Sequence, residues 1–411
     1  MSDVRAYRLE NIPVPVAVHA DAAPRRTAVN VAVEIAGTAR LAEVEAAWTD
    51  LLTRADAPNV FMDPVLVRIA DETEPQARHR TLLAWKRIDG KRQLVGVWAF
   101  AVGRARRSVL PIRVLYAPSH THGHLSTPVI DRDCLDESLD AMLDCIVADP
   151  QMPKIVALDM MGRDGPTYDA LLRVLAKRNS APCLFEQSQR PKLASAFDGK
   201  AYLEKSLSGS TRKKLRQHRR RLSEKGALTF VTTSELQAVH RMLEEFLTME
   251  ASGWKGRQGT ALQSEASNAA YVLGAVGALA ARGRASIHSL YLDGKPVSMQ
   301  IVVRAGAAAF TWRTAYDETF HDFSPGTLLL EDYTAAFLAD KSIAFVDSCS
   351  FDDTGFMSAW TERQPIADLW FDARRNGSIA FRAASGVQKT YRDLRHAAKR
   401  AYLTWRKSRK R

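Results

Sequence analysis

Between Ser286 and Asp347 the spacing of apolar residues changes twice, and the rest of the chain repeats that stretch in outline. Residues 286–292, 297–304 and 307–316 are short runs of apolar, β-branched and aromatic side chains, and Asp293-Gly294-Lys295-Pro296 turns the first run into the second. Runs of this kind, separated by turn residues, predict three strands. The period then lengthens. Leu328, Leu329, Leu330, Tyr333, Phe337 and Leu338 form a stripe at helical spacing, reached through the short loop His321-Asp322-Phe323-Ser324-Pro325-Gly326. A final apolar run, 343–346, leads into Asp347 and predicts a short buried strand.

The first half carries the same strand-then-helix order. The pattern predicts a strand over 27–37, helices over 39–54 and 64–70, and a hairpin of 81–88 with 93–102 across Asp89-Gly90-Lys91. A strand at 109–116 follows, then a helix at 136–147, a strand at 155–160, a helix at 168–177 and a strand at 183–187. In the second half, 228–231 reads as a strand, 236–251 and 267–281 as helices, 356–362 as a short helix, and 366–371 and 378–381 as closing strands. The fold class expected is α/β, with two tandem units, each a mixed β-sheet flanked by helices. The expected divisions are an irregular arm at 1–26, a first unit at 27–199, a basic connecting helix at 200–226, a second unit at 227–385 and a basic helix at 386–411.

Length agrees with two units: 411 residues exceed what one core usually holds, and 46% hydrophobic residues can fill two. No run of 18 apolar residues occurs, and the N-terminus has no apolar signal core. The four cysteines are scattered without metal or redox spacing, so the expectation is a cytoplasmic protein with reduced thiols and no metal site. Charge changes the picture more. The formal total is +12, but residues 205–225 alone carry +8 and residues 382–411 carry +10, so the remainder of the chain is net acidic. The first basic segment has Ser208 or Ser210 as a cap and Gly226 as a stop, and suits either a solvated linker helix or a phosphate-rich partner. The second interleaves Tyr391, Leu394, Tyr402, Leu403 and Trp405 with its cations. It can lie on an anionic membrane at the inner face, hold RNA, or be a solvated end.

Candidate chemistry gathers in the second half. A strand feeding a Gly-bearing loop and a helix N-terminus leaves backbone N–H groups for an anion. Ser324, Pro325, Gly326 and Thr327 are the candidates: Pro325 restricts the loop, Gly326 admits a ligand to the backbone, and Thr327 can cap. A capped helix with no ligand is the alternative. Ser252-Gly253-Trp254-Lys255-Gly256 places a ring and an ammonium on a Gly-flanked loop, suited to a substrate face and an anion, or to an ordinary surface turn. In the first half, His120, His122 and His124 recur at period two. A metal cluster, the wall of an acceptor cleft and a solvated loop are all readings of them. No carboxylate or Cys stands at ligand spacing, and the cleft wall is the reading carried into the candidate site.

The order Ala-Tyr-Asp (315–317), Ser-Pro-Gly (324–326), a Leu-rich helix and Asp-Ser (347–348), with Trp254-Lys255-Gly256 and Gly259-Thr260-Ala261 before it, resembles the GNAT acyltransferase superfamily. Within it, the pattern is most similar to the CelD-type acetyltransferases of cellulose biosynthesis, relatives of the FemAB aminoacyl transferases. The resemblance runs well over 200–375 and weakly over 30–195. In GNAT proteins the loop after the fourth strand holds the pyrophosphate of acyl-CoA with the pattern Gln/Arg-x-x-Gly-x-Gly/Ala. Here the window is 321–326, where Gly326 fits the last position and His321 and Ser324 replace the first two. The resemblance implies acetyl-CoA or another acyl-CoA as donor, with Arg313 and Ser324–Thr327 on the donor side. It implies an amine or hydroxyl acceptor, such as an envelope polysaccharide or its precursor, with Trp254, Lys255 and the three histidines on the acceptor side. Asp317 and Asp347, at the ends of adjacent strands, are the implied bases, although each could instead cap its neighbouring loop. The Tyr that many of these enzymes place after the fifth strand has no counterpart among Ser348, Cys349 and Phe356. An aminoacyl-tRNA-dependent transferase and a catalytically silent scaffold are the competing expectations.

Overall fold

The computed structural model describes residues 31–408 except 106–107 and 352–354. The arm expected over 1–26 and the Leu403 side chain lie outside the described residues. Among the described residues there are thirteen strands: β1 Val31–Ala36, β2 Arg78–Ile88, β3 Lys91–Arg104, β4 Arg113–Ala117, β5 Val129–Ile130, β6 Ile155–Gly162, β7 Cys183–Leu193, β8 Leu228–Thr233, β9 Ala285–Leu292, β10 Lys295–Ala305, β11 Ala308–Tyr316, β12 Phe345–Asp347 and β13 Glu362–Asp372. They form one sheet in the order β1-β2-β3-β4-β6-β13-β7-β12-β11-β10-β9-β8, with β5 beside β3.

The order contains the same unit twice. Antiparallel strands lead to a parallel pair, β4 with β6 in the first half and β11 with β12 in the second. The two halves then exchange strands. β7, which ends the first half, pairs antiparallel with β12 of the second, through Val346↔Leu193 and Asp347↔Lys192. β13, which ends the second half, inserts between β6 and β7. The fold is therefore α/β in two tandem units, as the periodicity predicted, but no cut at residue 199 leaves either sheet complete.

Helices cover both faces. In the second unit, the helices Leu236–Ser252 and Ala266–Ala280 bury Val239, Leu243, Phe246, Val272 and Val276 against Ile287, Met299, Ile301 and Phe310. The same core takes in Phe61, Leu66 and Ile69 beside and within the first-half helix Pro64–Thr73, so the units share apolar packing. A buried ion pair adds to it. Asp63 accepts from Trp48 Nε1 at 2.8 Å and pairs with Arg284. The opposite face carries the helices Gly199–Ser206, Gly209–Ser223 and Pro325–Ala339, which enclose Leu215, Leu222, Leu328, Leu329, Tyr333 and Trp360.

Three local expectations change. Residues 39–54 form two helices that meet at Val44, not one. The connecting helix begins at Gly209 because Ser208 caps it, its hydroxyl accepting from Thr211 N at 3.1 Å. Residues 378–381 are not a strand. Ser378 Oγ accepts from Phe381 N at 3.1 Å and donates to Asp372 Oδ2 at 2.6 Å, which starts a helix running from Ile379 to Ser408.

Candidate active site

β11 and β12 part company early. Their last paired residues are Phe310 and Asp347, yet β11 continues through Tyr316 with no strand of the described residues on that edge. The chain beyond Asp347 swings away through Cys349, which adopts a left-handed φ of 53°. Between the parting strands lies a cavity of about 520 Å³. Its walls are Trp312, Arg313, Thr314 and Tyr316 from β11, Cys349, Phe351 and Phe356 beyond β12, His124 from the first unit, Trp254 and Lys255, and the segment His321 to Thr327.

One end of the cavity is the N-terminus of the helix Pro325–Ala339. Ser324 takes the N-cap position with φ 51° and ψ 53°, and its hydroxyl makes no capping bond. The first turn is instead closed by the Ser324 carbonyl, which accepts from Thr327 N at 2.9 Å and Leu328 N at 3.1 Å. Thr327 is therefore not the cap that the sequence suggested, because Pro325 fixes the helix start one residue after Ser324. A Cβ built on Gly326 meets nothing within 4 Å, so the backbone there faces open space. The basic helix lies against this element. Arg219 donates to Asp332 at 3.0 Å and to the Leu328 carbonyl at 3.1 Å, and Lys213, Lys214, Arg216, Arg220 and Arg221 stay exposed.

The Trp-Lys-Gly and Gly-Thr-Ala segments form one structural unit. Trp254–Arg257 is a single helical turn, not a loop, and a Cβ on Gly256 would come within 1.7 Å of the Ala251 carbonyl oxygen. Only glycine fits there. The Lys255 carbonyl accepts from Thr260 N at 2.8 Å. The Lys255 ammonium, expected to meet a ligand anion, is held by Glu250 at 2.7 Å and by the Thr314 carbonyl at 3.2 Å, and Glu250 also accepts from Leu262 N at 2.8 Å. Lys255 thus ties the end of β11 to the wall of the cavity, while Trp254 keeps 44% of its surface exposed at the mouth.

The histidine segment is buried, not a solvated loop. Of its three rings only His124 reaches the cavity. His120 lies stacked on Tyr271 with ring centroids 3.5 Å apart, and its Nε2 is 3.2 Å from Glu74. His122 sits behind the wall, its carbonyl accepting from Trp312 Nε1 at 2.8 Å and its ring bonded to Arg313. That geometry sets His120 and His122 apart from the cavity that His124 lines. No group of three or more His, Cys, Asp or Glu suited to a metal exists among the described residues.

Neither aspartate lines the cavity. Asp347 is 1% exposed and paired with Arg190 at 3.2 Å, and its Oδ1 accepts from Cys349 N at 2.7 Å. It borders a separate, smaller cavity with Lys192 and Gln364. Asp317 caps the short 3-10 turn after β11, accepting from Thr319 N at 2.9 Å, and faces an open groove with Glu244 and Glu245. They fail to converge because Asp347 stands where the strands begin to part and Asp317 at the far end of β11. Asp317→Asn should cost less than about 1 kcal/mol, since both residues cap well. It should also leave turnover unchanged, as thermal unfolding and a transfer assay would show; a large rate loss at unchanged stability would restore Asp317 as the base.

Sequence reasoning missed Trp312, Tyr316, Cys349, Phe351 and Phe356. Tyr316 was legible as the centre of the Ala-Tyr-Asp triplet; the others depend on a bulge and on how strands part. The bulge lies where Ile301 pairs with Arg313 and Val302 with Thr311, which turns Trp312 and Arg313 both onto the cavity.

The fold is α/β, with two tandem units joined in one mixed sheet. Residues 209–350, the span that builds most of this site, match the acetyltransferase (GNAT) domain family. Among solved structures, the chain is similar to FemX, with a TM-score of 0.55 at 14% identity over 84% of this chain and 97% of that one. It is similar also to the C-terminal DUF2156 domain of a candidate lysylphosphatidylglycerol synthetase from Agrobacterium fabrum, with a TM-score of 0.51 at 16% identity over 85% of this chain and 96% of that one. A conserved protein of unknown function from Bacteroides thetaiotaomicron shows a TM-score of 0.51 at 11% identity over 83% and 98%. At such identities the likeness is one of fold. Among curated protein sequences none matches.

Proposed function

We propose that this protein transfers an acyl group, acetyl in the first instance, from acyl-CoA to an amine or hydroxyl held in the cavity between β11 and β12. The observation that carries the reading is the parting of those strands onto a helix N-terminus with open backbone at Gly326. Ser324, Pro325, Gly326 and Thr327 hold the donor's phosphates at the positive end of the helix dipole. The unpaired edge of β11 stabilises the thioester oxyanion. With both aspartates outside, the acceptor's proton passes to an imidazole that lines the cavity, His124 or His321. Tyr316 supplies a hydroxyl for the departing thiolate. Calorimetry with acetyl-CoA, followed by turnover against a panel of acyl-CoA donors and amine or hydroxyl acceptors, tests the reading; no donor binding overturns it. Binding without turnover favours a catalytically silent scaffold.

A second reading has its own observation. The exposed cations of the helix Gly209–Ser223 border the donor helix, which suits an aminoacyl-tRNA donor of the FemAB kind. RNase-sensitive activity selects it. A polysaccharide-linked acceptor of the CelD type belongs to the first reading, and acetylation of glycan precursors tests it.

The tail fits peripheral attachment to an anionic membrane. No helix among the described residues is long and apolar enough to cross one. The helix Ile379–Ser408 docks through Phe381, Ser385, Gln388 and Arg392, with Arg392 paired to Asp368 at 2.9 Å. Beyond Arg392 it exposes Leu394, Tyr402 and Trp405 among its cations, while His396 still reaches Glu186 at 3.2 Å. Removing residues 397–411, which spares the docked part, should abolish salt-sensitive sedimentation with anionic liposomes and leave donor binding intact. Equal sedimentation of both forms sinks the membrane reading.

A further inference from the structure

Arg313 is the one cation of this cavity's strand wall, and among the described residues it has no counter-ion. Four other arginines set into the body of the protein have one. Arg178 pairs with Asp140 and Asp144, Arg190 with Asp347, Arg284 with Asp63 and Arg392 with Asp368. No carboxylate among the described residues lies within ion-pair distance of Arg313. Glu250, the acidic group nearest in influence, is already engaged by Lys255 and by Leu262 N. The side chain's hydrogen bond goes to His122, whose backbone N–H is fixed on His120 at 3.2 Å, and its Nε is buried without a partner. Burial holds the guanidinium pKa below its ordinary value.

A cation taken out of water with no partner costs several kcal/mol. Trp312, Phe351 and Phe356 give the same space apolar walls, which strengthen any ion pair formed there. The donor's phosphates have their own seat at Gly326. We propose that Arg313 is the receptor for a substrate carboxylate, so that one of the two molecules joined in this cavity carries an anionic group beside its reacting end. A guanidinium and a carboxylate match in plane and donor spacing, which makes this pairing a selector of substrate and not only an attraction. The proposal rests on the reading of this cavity as the transfer site, and goes further by naming the substrate class.

The test uses the full chain, free and saturated with acetyl-CoA. Benzoate and benzamide, alike in shape and different in charge, are titrated by calorimetry into the wild type and Arg313→Gln. Benzoate should bind the wild type at least tenfold more tightly than benzamide, and the variant should lose that preference while keeping its affinity for acetyl-CoA. Succinyl-CoA against acetyl-CoA locates the carboxylate. A tenfold preference for succinyl-CoA, lost in Arg313→Gln, places it on the acyl chain; benzoate bound together with acetyl-CoA places it on the acceptor. Neither preference in the wild type, or either one retained in the variant, overturns the proposal. Arg313→Met guards against a folding artefact. Removing an unpaired cation should leave the free protein's Tm unchanged or higher, and a fall of several degrees would show a structural arginine instead. Failure of acetyl-CoA to bind at all defeats the acyl-CoA reading, while the benzoate comparison still decides the role of Arg313.

Discussion

Arg190→Ala should destabilise the protein by about 3–5 kcal/mol, the cost of stripping a partner from a buried ion pair. Arg190 is fully buried on β7 of the first unit, and Asp347 ends β12 of the second. The guanidinium also donates to the His124 carbonyl at 2.7 Å and the Ser350 carbonyl at 2.7 Å. Its loss takes a buried donor from one carboxylate and two carbonyls, and it loosens both the histidine segment and the chain beyond β12. Urea unfolding should show the lower midpoint, and Asp347→Asn should show a smaller loss of the same kind. Arg190→Met with Asp347→Leu should recover much of the stability, because two matched apolar groups leave no charge behind. If Asp347→Asn keeps full stability and loses turnover by ~10²–10⁴, Asp347 acts as a base after all and the structural reading is wrong.

Gly326→Val should abolish measurable binding of acetyl-CoA, a loss of at least ~100-fold, while unfolding shifts by no more than about 1 kcal/mol. The two effects separate because the space a Cβ would enter is open in the folded protein and, under the proposed function, is the space the donor's phosphates need. The N–H of residue 326 survives the change, so the loss is steric. Calorimetry on both proteins checks it. Unchanged affinity would make the turn an ordinary helix start and remove the case for CoA.

Much of the architecture was legible because period and turn chemistry agreed. The runs on either side of Asp293-Gly294 became β9 and β10, and the stripe from Leu328 to Phe337 became the helix behind the donor turn. The connecting helix began at the Ser208 cap that its sequence offered. Local pattern failed where the outcome depends on partners distant in the chain. Ser378 looks like the start of a strand until Asp372 accepts its backbone and its hydroxyl. Asp347 looks like a free base until Arg190, more than 150 residues earlier, comes to lie against it. The three histidines read as one face at period two, but a turn at residues 121–122 sends the rings to different neighbours, Tyr271, Arg313 and the cavity. The Trp312 bulge has no local signature.

The exchanged strands bear on how this chain comes to be folded as it leaves the ribosome. The first unit is the earlier to emerge, yet the seat between β6 and β7 stays vacant until residues 362–372 have been made. Until then two strand edges, of which β6 is rich in apolar side chains, stand open to neighbours. Contacts of such sequence separation form slowly, because a long loop must close before they reward it. The nascent chain is therefore exposed to misassociation for most of its synthesis, and a chaperone that shields strand edges should raise the yield of soluble protein more than a lower temperature does.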